Sequence, residues 1–587
     1  VGVVLNFEAR GTRGPSLMFE TSAGNAPLIR ELRRAAPFPA AASYTYEVYK
    51  ALPNDTDFSV FRRAGLVGMN FAFIEGPGYH SPGDSLAALD LASVQHHGET
   101  ALSLARHLAE LDLSQGLEGA DAVYFNLLGP LLVVYSSTVT WTLVAVAALL
   151  LVSCLVVGFR RRRLAVGGLL LAVLAVFFCV GTVASLLLVL APWIISTYNF
   201  TLWFGWTSGS LNPLALGLVA AGLALAGWRL FASRLRGGHL IMAGGIWWFA
   251  MSLTVTMLAP GASYLFLIPL VAALAGAFAW LRADESTDRL PLPLTASLWA
   301  VVILTALLWP VNLRMIGLAL GEPAAPALGL LVTMICLGVL PTLWELCRPL
   351  SWRLPSSLLA VGLALIALVA SGSSYGPVNP KPTSLLYELD TETGTARWFS
   401  IESEIDDWTR QVLTAQPKAG KRSIFFGWTG PGLEHPAPVA SLGGAEIEVL
   451  AAPEGAPDKS LDLAIRWPFD VDRAVLYLRS KSEIEGIRIG NERFERSANA
   501  GPGKTASRMI LVFTGVPADG MSLSVDLVGE DPLSVEAFGQ RFGLPRLEGV
   551  DLAPKPAHLQ TRSGWNFDST FVRSLTNVTR HTSAQAN

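Results

Sequence analysis

The apolar block at residues 133–372 constrains the fold of this 587-residue chain more than any other feature. It contains 12 arginines, no lysine and 5 acidic residues, whereas the whole chain contains 43 basic and 46 acidic residues. A helix needs ~20 mainly apolar residues to cross a bilayer. The block therefore predicts a polytopic α-helical membrane domain of about eight helices, at 133–158, 164–191, 211–231, 239–258, 262–281, 293–313, 326–346 and 355–372.

The arginines of this block predict its orientation. Eleven of the 12 follow the first, third, fifth and seventh predicted spans, and Arg314 alone follows an even-numbered one. Because cytoplasmic loops are enriched in Lys and Arg, the odd-numbered loops should be cytoplasmic. An even number of spans then places both flanking domains on the non-cytoplasmic side. That side would be the periplasmic face of a bacterial inner membrane, or the lumen of the endoplasmic reticulum or vacuole.

Charge and cysteine content exclude some functions. The net charge of -3 gives no basic signal of the kind that nucleic-acid-binding proteins show, so no nucleic-acid partner is expected. The flanking regions hold no cysteine and so cannot build a disulfide framework or a cysteine zinc site. The first residues, VGVVLNFEA, lack the charged start and cleavage site of a signal peptide and read as a strand.

The two flanks differ in pattern. Residues 1–117 alternate strand-like and helix-like stretches, which predicts part of an α/β domain with a partly parallel sheet. Residues 118–132 are predicted to be a linker. Residues 373–587 contain many short strand-like runs separated by turns, which predicts a non-cytoplasmic antiparallel β-sandwich-like domain.

Two loops of the first flank carry residues suited to a metal site. Glu8 follows the apolar run of the first strand, and open α/β sheets bind ligands at such strand ends. His80 lies in a Gly/Pro loop after a second strand, and Asp84 could orient its ring as an outer partner. Each has an ordinary alternative, a solvated acid and an exposed or structural histidine. The helix expected at 90–111 carries three more histidines, interpreted as a metal site or, more commonly, a solvated face: His96, His97 and His107.

Three ordered motifs resemble a known family. They are NFEARG with Glu8, NDTDF at 54–58, and IEGPGYHSPGDS at 74–85 with His80. Their order and separation are similar to those of the co-catalytic dizinc aminopeptidases of metallopeptidase family 28. The multispan block and the C-terminal β domain match its membrane-embedded branch, the endoplasmic reticulum metallopeptidase and vacuolar membrane protease group.

The resemblance implies a site with two zinc ions, of which Glu8 would bind one and His80 the other. Asp55, Asp57 and Tyr79 would lie on the substrate side. In the family, the bridging aspartate and the Glu-Glu pair with the general base precede the strand that ends in the zinc-binding glutamate. Only seven residues precede Glu8, so we expect a C-terminal part whose partner is a missing N-terminal peptidase half, with the base upstream of Val1. Because a catalytic zinc normally needs three protein ligands, this chain alone should be inactive.

Three classes of function remain open. The first is a membrane-anchored zinc aminopeptidase that cleaves peptides at the surface of a lipid bilayer. The second is a noncatalytic scaffold or peptide-binding relative. Transport is the weakest, because ionisable residues inside spans usually mark transport paths and the predicted spans hold essentially none.

Overall fold

A computed structural model describes most of the chain. The described residues are 2–52, 55–76, 79, 84–197, 211–232, 237–282, 292–320, 331, 335, 352–371, 376, 380–402, 404–413, 418–424, 428–450, 460–490, 492–495, 507–561 and 568–579. They divide into two compact units, with the boundary between Ser374 and Tyr375.

A mixed four-stranded sheet forms the start of the first unit. Its strands are β1 (Val4–Ala9), β2 (Leu17–Thr21), β3 (Ala40–Ala41) and β4 (Gly68–Phe73), in the order β1-β4-β2-β3. The pair β1–β4 is parallel and β2–β4 is antiparallel, so the sheet is partly parallel, as the alternating pattern predicts. The helices of this region are α1 (Ala26–Ala35), α2 (Ser43–Lys50), α3 (Asp57–Arg63) and α4 (Leu91–Ala109).

Most of the segment 118–132, which was predicted to be a linker, belongs to a hairpin. Strand β5 (Ala122–Leu127) pairs in antiparallel register with β6 (Leu131–Ser136). The first membrane helix starts at Ser137, directly after β6, rather than at 133. The hairpin is largely apolar, and its first four residues are buried.

The apolar block is helical wherever it is described over more than a few residues. Its helices are α5 (Ser137–Arg160), α6 (Val166–Thr197), α7 (Leu211–Ala232), α8 (Gly237–Leu258), α9 (Tyr264–Arg282), α10 (Leu292–Leu320) and α11 (Arg353–Ser371). Among the described residues, five helices are long and apolar enough to cross a membrane, in α5, α6, α8, α9 and α10. Helices α7 and α11 carry shorter apolar stretches. The predicted span at 326–346 lies almost entirely outside the described residues, so the count of eight stays a prediction.

The N-terminal α/β region packs directly on the ends of these helices. The Phe125 ring of β5 stacks on the Tyr264 ring at the start of α9, with centroids 4.2 Å apart. The Ser43 hydroxyl donates to the Gly261 carbonyl at 2.6 Å, and the Gly261 N–H donates to Glu47 at 3.1 Å. One hydrophobic cluster contains residues of both regions, so the α/β region and the helices form a continuous core.

Arginines mark the other end of the same helices. Arg161, which follows α5, donates to the carbonyl of Arg282 at the end of α9, and Arg163 donates to that of Trp280. Both contacts lie at helix ends remote from the Phe125–Tyr264 stack, since α5 and α9 each begin beside the α/β region. Arg161 and Arg163 therefore lie at the ends of α5 and α9 opposite to the α/β region.

The second unit consists of β-strands. They are β7 (Lys381–Thr383), β8 (Leu386–Asp390), β9 (Thr395–Ser400), β10 (Lys418–Ile424), β11 (Trp428–Ala437), β12 (Glu446–Val449), β13 (Ser460–Arg466), β14 (Arg473–Arg479), β15 (Glu483–Ile489), β16 (Glu492–Glu495), β17 (Arg508–Thr514), β18 (Met521–Val528), β19 (Leu533–Phe542), β20 (Leu559–Thr561) and β21 (Ser569–Val578). An eight-stranded sheet has the order β10-β11-β9-β8-β21-β19-β14-β17, and a five-stranded sheet the order β12-β13-β18-β15-β16.

Inward-facing residues of the two sheets share one core. Leu463 and Val525 of the smaller sheet belong to the same cluster as Leu476 and Val535 of the larger one. The pairing is antiparallel except for β8–β21 and the short β7–β20 pair, which are parallel and depart from the predicted all-antiparallel pattern. Ion pairs join neighbouring strands of the larger sheet: Arg397 with Glu388 and Glu434, and Arg573 with Asp390 and Glu536.

Candidate functional site

Glu8 lies near the carboxyl end of β1, beside the parallel strand β4. The two strands are in register from Val4 opposite Gly68 to Ala9 opposite Phe73, so both end at the same edge of the sheet. The Glu8 side chain is half-buried, and its Oε1 accepts a hydrogen bond from Asn6 Nδ2 at 3.0 Å. Asn6 points to the same face because side chains alternate along a strand. The structure thus presents a carboxylate at the edge where α/β sheets bind ligands.

A row of buried polar side chains supports Glu8. Asn6 also donates to Asn70 Oδ1 of β4 at 2.9 Å, and Asn70 donates to Glu20 Oε2 at 3.0 Å and to Thr56 Oγ1 at 2.9 Å. Glu20 is fully buried, and burial raises the pKa of its carboxyl, against the opposing hydrogen bond from Asn70. Thr56 belongs to the NDTDF motif and Asn6 to NFEARG, so Asn70 joins these two motifs through their side chains.

The backbone joins the first motif to the third. The Glu75 carbonyl accepts from the N–H groups of Thr12 and Arg13 at 2.9 and 3.0 Å, and the Glu75 N–H donates to the Arg13 carbonyl at 2.9 Å. Gly11 makes this approach possible. Its φ is +151°, and a Cβ there would lie 2.3 Å from the Glu75 carbonyl oxygen. The glycine of NFEARG is therefore explained by the backbone of IEGPGYH.

The structure describes only some of the other predicted site residues. His80 and Asn54 lie outside the described residues. Asp84 is exposed, and Tyr79 is half-buried with the Arg10 guanidinium 5.8 Å from its ring centroid. The structure does not test the predicted pairing of Asp84 with His80.

The two substrate-side acids flank the start of α3. Asp55 is exposed and forms an ion pair with Arg63. Asp57 is exposed in the first turn of α3, whose first N–H groups are capped by Thr56. This segment thus forms the start of α3, and the hydrogen bond between Asn70 and Thr56 connects that start to β4.

The described residues do not form a metal centre by themselves. Within the described ranges, no three side chains of the types His, Cys, Asp and Glu come together in a way that could hold a metal ion. Of the two predicted ligands, the structure places only Glu8. A zinc site at this edge would need His80 and further ligands in addition to the carboxylate that is seen.

The histidines of α4 are structural, and the interpretation as a solvated face is wrong for them. His97 packs edge-on against the rings of Phe7 and Phe73, with its Nδ1 2.7 Å from the Ser16 hydroxyl. Burial lowers the pKa of its imidazole. His96 and His107 contact other elements: the Phe38 carbonyl at 2.8 Å and Glu31 at 2.6 Å. His97 therefore fixes the strand ends beneath the candidate site, and its Leu- and Ala-rich helix gives little sequence signal of that role.

Comparisons with known proteins relate the N-terminal region to a family of peptidases. Residues 1–105 match the family model described as "Peptidase family M28". Residues 1–105 are thus similar to that family, and the resemblance predicted from the three motifs is confirmed.

The matched relatives belong to the membrane-embedded branch. The chain is 34% identical over 142 residues to "Endoplasmic reticulum metallopeptidase 1" of Mus musculus, covering 23% of this chain and 16% of the relative. It is 33% identical over 138 residues to "Putative endoplasmic reticulum metallopeptidase 1-B" of Caenorhabditis elegans, covering 22% and 15%. It is 28% identical over 139 residues to "Vacuolar membrane protease" of Vanderwaltozyma polyspora, covering 23% and 15%. The matched segments thus span about a sixth of these relatives. No solved structure matches the chain.

Proposed function

We propose that this chain belongs to a membrane-anchored metallopeptidase. The enzyme would use two zinc ions at its site to remove N-terminal residues from peptides. The observation that carries the proposal is the convergence of three motifs, far apart in sequence, at one edge of the sheet. Asn70 joins the first and second motifs, and the backbone of Glu75 joins the first and third. The family match of residues 1–105 and the printed names of the relatives support the same class.

In this proposal Glu8 and His80 each bind one zinc ion, and Asp84 orients His80. Zinc in such sites lowers the pKa of a bound water and polarises a carbonyl. Asn6 holds the Glu8 carboxylate by a hydrogen bond of 3.0 Å. Asp55, Asp57 and Tyr79 would contact the peptide. The remaining ligands and the general base are not among the residues that the structure describes.

The membrane helices place this site at a fixed position at one end of the bundle. We propose that this end is non-cytoplasmic, because Arg161, Arg163 and Arg282 lie at the other ends of α5 and α9, and cytoplasmic loops are enriched in arginine. Peptides at the periplasmic or lumenal surface of the bilayer would then be the substrates.

Activity measurements on the full-length gene product test the proposal. Glu8→Ala and His80→Ala should each abolish hydrolysis of peptides with a free N-terminus, while peptides with an acetylated N-terminus should not be cleaved by any variant. Asp84→Asn should lower activity by about 10- to 100-fold, as losses of outer metal partners do. Glu99→Ala, on an exposed part of α4, is the matched control and should keep full activity.

Two outcomes would contradict the proposal. Full activity of Glu8→Ala would remove this residue from the site. Binding of free-N-terminus peptides without cleavage by the unmodified protein, with no zinc detected by elemental analysis, would favour the noncatalytic peptide-binding relative.

A further inference from the structure

Arg314 is the one arginine that departs from the predicted distribution, and the structure shows where it lies. Helix α10 continues to Leu320, past the predicted span end at 313, so Arg314 is helical and inside the apolar stretch Thr295–Leu318. Its Nη2 forms an ion pair with Glu75 Oε2 at 2.8 Å. Glu75 belongs to the third motif of the peptidase segment.

The surroundings make this contact more than a surface ion pair. The Glu75 side chain is only 12% exposed, whereas the Arg314 side chain is 46% exposed and sits on a helix made almost entirely of apolar residues. A charge in such a helix is costly unless it is paired. Arg13 also lies close to Glu75 and Arg314, and its pKa is lowered mainly by burial. The Glu75 carboxylate thus pairs with Arg314 of the helical block, close to the charge of Arg13 from the α/β region.

Glu75 connects this ion pair to the candidate metal ligand. Its carboxylate binds Arg314, and its backbone binds Thr12 and Arg13 at 2.9 to 3.0 Å. Thr12 and Arg13 follow directly after the first motif, which contains Glu8. The position of the strand ends is therefore set in part by a residue of the membrane domain.

We propose that Arg314 is a positioning residue that the membrane domain contributes to the peptidase edge. It acts through Glu75, by holding this residue after β4 and, with it, Thr12 and Arg13 after β1. This proposal gives the helical block a role beyond anchoring, because a single span would not supply this contact. The identification of this sheet edge as a metal site rests on the proposed function. The ion pair between Arg314 and Glu75, and its effect on the strand ends, do not.

Hydrogen exchange of the purified chain in detergent tests the proposal without metal or peptide. Arg314→Gln should raise the exchange rates of the amides of Thr12, Arg13 and Glu75 by about tenfold, the effect expected when a hydrogen bond to a charged group is lost. Amides of Ala26–Ala35, in α1, should keep their rates. Arg314→Lys should restore most of the protection, since an ammonium can still pair with Glu75.

Two further variants complete the test. Glu75→Gln should reproduce the local effect, and the double variant with Arg314→Gln should add little, because both changes remove the same contact. Arg353→Gln, which replaces an exposed arginine at the start of α11, is the matched control and should change none of these amides.

The outcomes separate the possibilities. Unchanged exchange at Thr12, Arg13 and Glu75, additive effects in the double variant, or a uniform rise that includes α1 would each overturn the positioning role. If Arg314→Gln does not accumulate, Glu75→Gln and Arg314→Lys still decide it by the same local comparison. Loss of peptidase activity is not used as a readout, so the test stands apart from that of the proposed function.

Discussion

Replacement of Gly11 by alanine should destabilise the N-terminal α/β region strongly. The φ of Gly11 is +151°, and a side chain in a conformation of this kind costs about 1–3 kcal/mol. The new Cβ would lie 2.3 Å from the Glu75 carbonyl oxygen, far inside the ordinary separation of ~3.5 Å between nonbonded atoms. Relief would require Glu75 to move by about 1 Å. That movement would weaken its two backbone bonds to Thr12 and Arg13, worth about 0.5–1.5 kcal/mol each.

The expected loss in unfolding free energy for Gly11→Ala is therefore about 2–6 kcal/mol. Pulse proteolysis of the chain in detergent across a urea series, followed through peptides from residues 1–136, measures it. Two glycines serve as controls. Gly65 has a φ of +78° and no other atom within 4 Å of the position that a Cβ would take, so Gly65→Ala should show the backbone cost alone. Gly98 lies within α4 with open space around it, so Gly98→Ala should stabilise by about 0.5–1 kcal/mol. A loss for Gly11→Ala no larger than that for Gly65→Ala would refute the close approach between the two motifs.

Three other predictions follow from features of both units. Because burial lowers the pKa of His97, the unfolded state binds the proton more readily, so the unfolding free energy of the first unit should fall as pH drops below about 6.5, the pKa of an unfolded histidine. His97→Gln should remove that slope in urea titrations at pH 5 and 7, and an unchanged slope would mean that another group causes it. In a cysteine-free background, Ala23→Cys and Asn577→Cys should both react with an impermeant maleimide from the non-cytoplasmic side; labelling from opposite sides would show an odd number of spans. Arg573→Met should lower the stability of the second unit by about 1–3 kcal/mol, because it removes the cation that pairs with Asp390 and leaves Glu536 paired with Arg479 alone; a loss that high salt does not alter would argue against an ionic origin.

Local patterns in the sequence are sufficient to predict much of the first unit. The apolar run before Glu8 predicts a buried strand with an acid at its end. The strand and its acid are found in β1, but the strand is half-buried because it lies at the edge of the sheet. The hairpin at β5 and β6 escapes prediction because its apolar residues run without a break into those of α5. A short apolar run does not by itself distinguish a strand from a helix.

Contacts between distant residues are beyond sequence reasoning. Glu75 and Arg314 are 239 positions apart, and no periodicity relates them. The sequence shows only that Arg314 is an exception among the arginines. The Asn70 row likewise depends on the strand order β1-β4-β2, which brings side chains from three strands and one helix start together. Motif spacing indicates which residues matter but not which of them bond to one another.

The junction of β6 and α5 has a mechanical consequence. The strand ends at Ser136 and the helix begins at Ser137, so no flexible residue separates the hairpin from the first span. An α/β region on a loose tether could take up many distances and tilts relative to the helices that follow it. This region cannot swing in that way. Its distance from the apolar helices is set by the structure, so the hairpin and the first of those helices must move together.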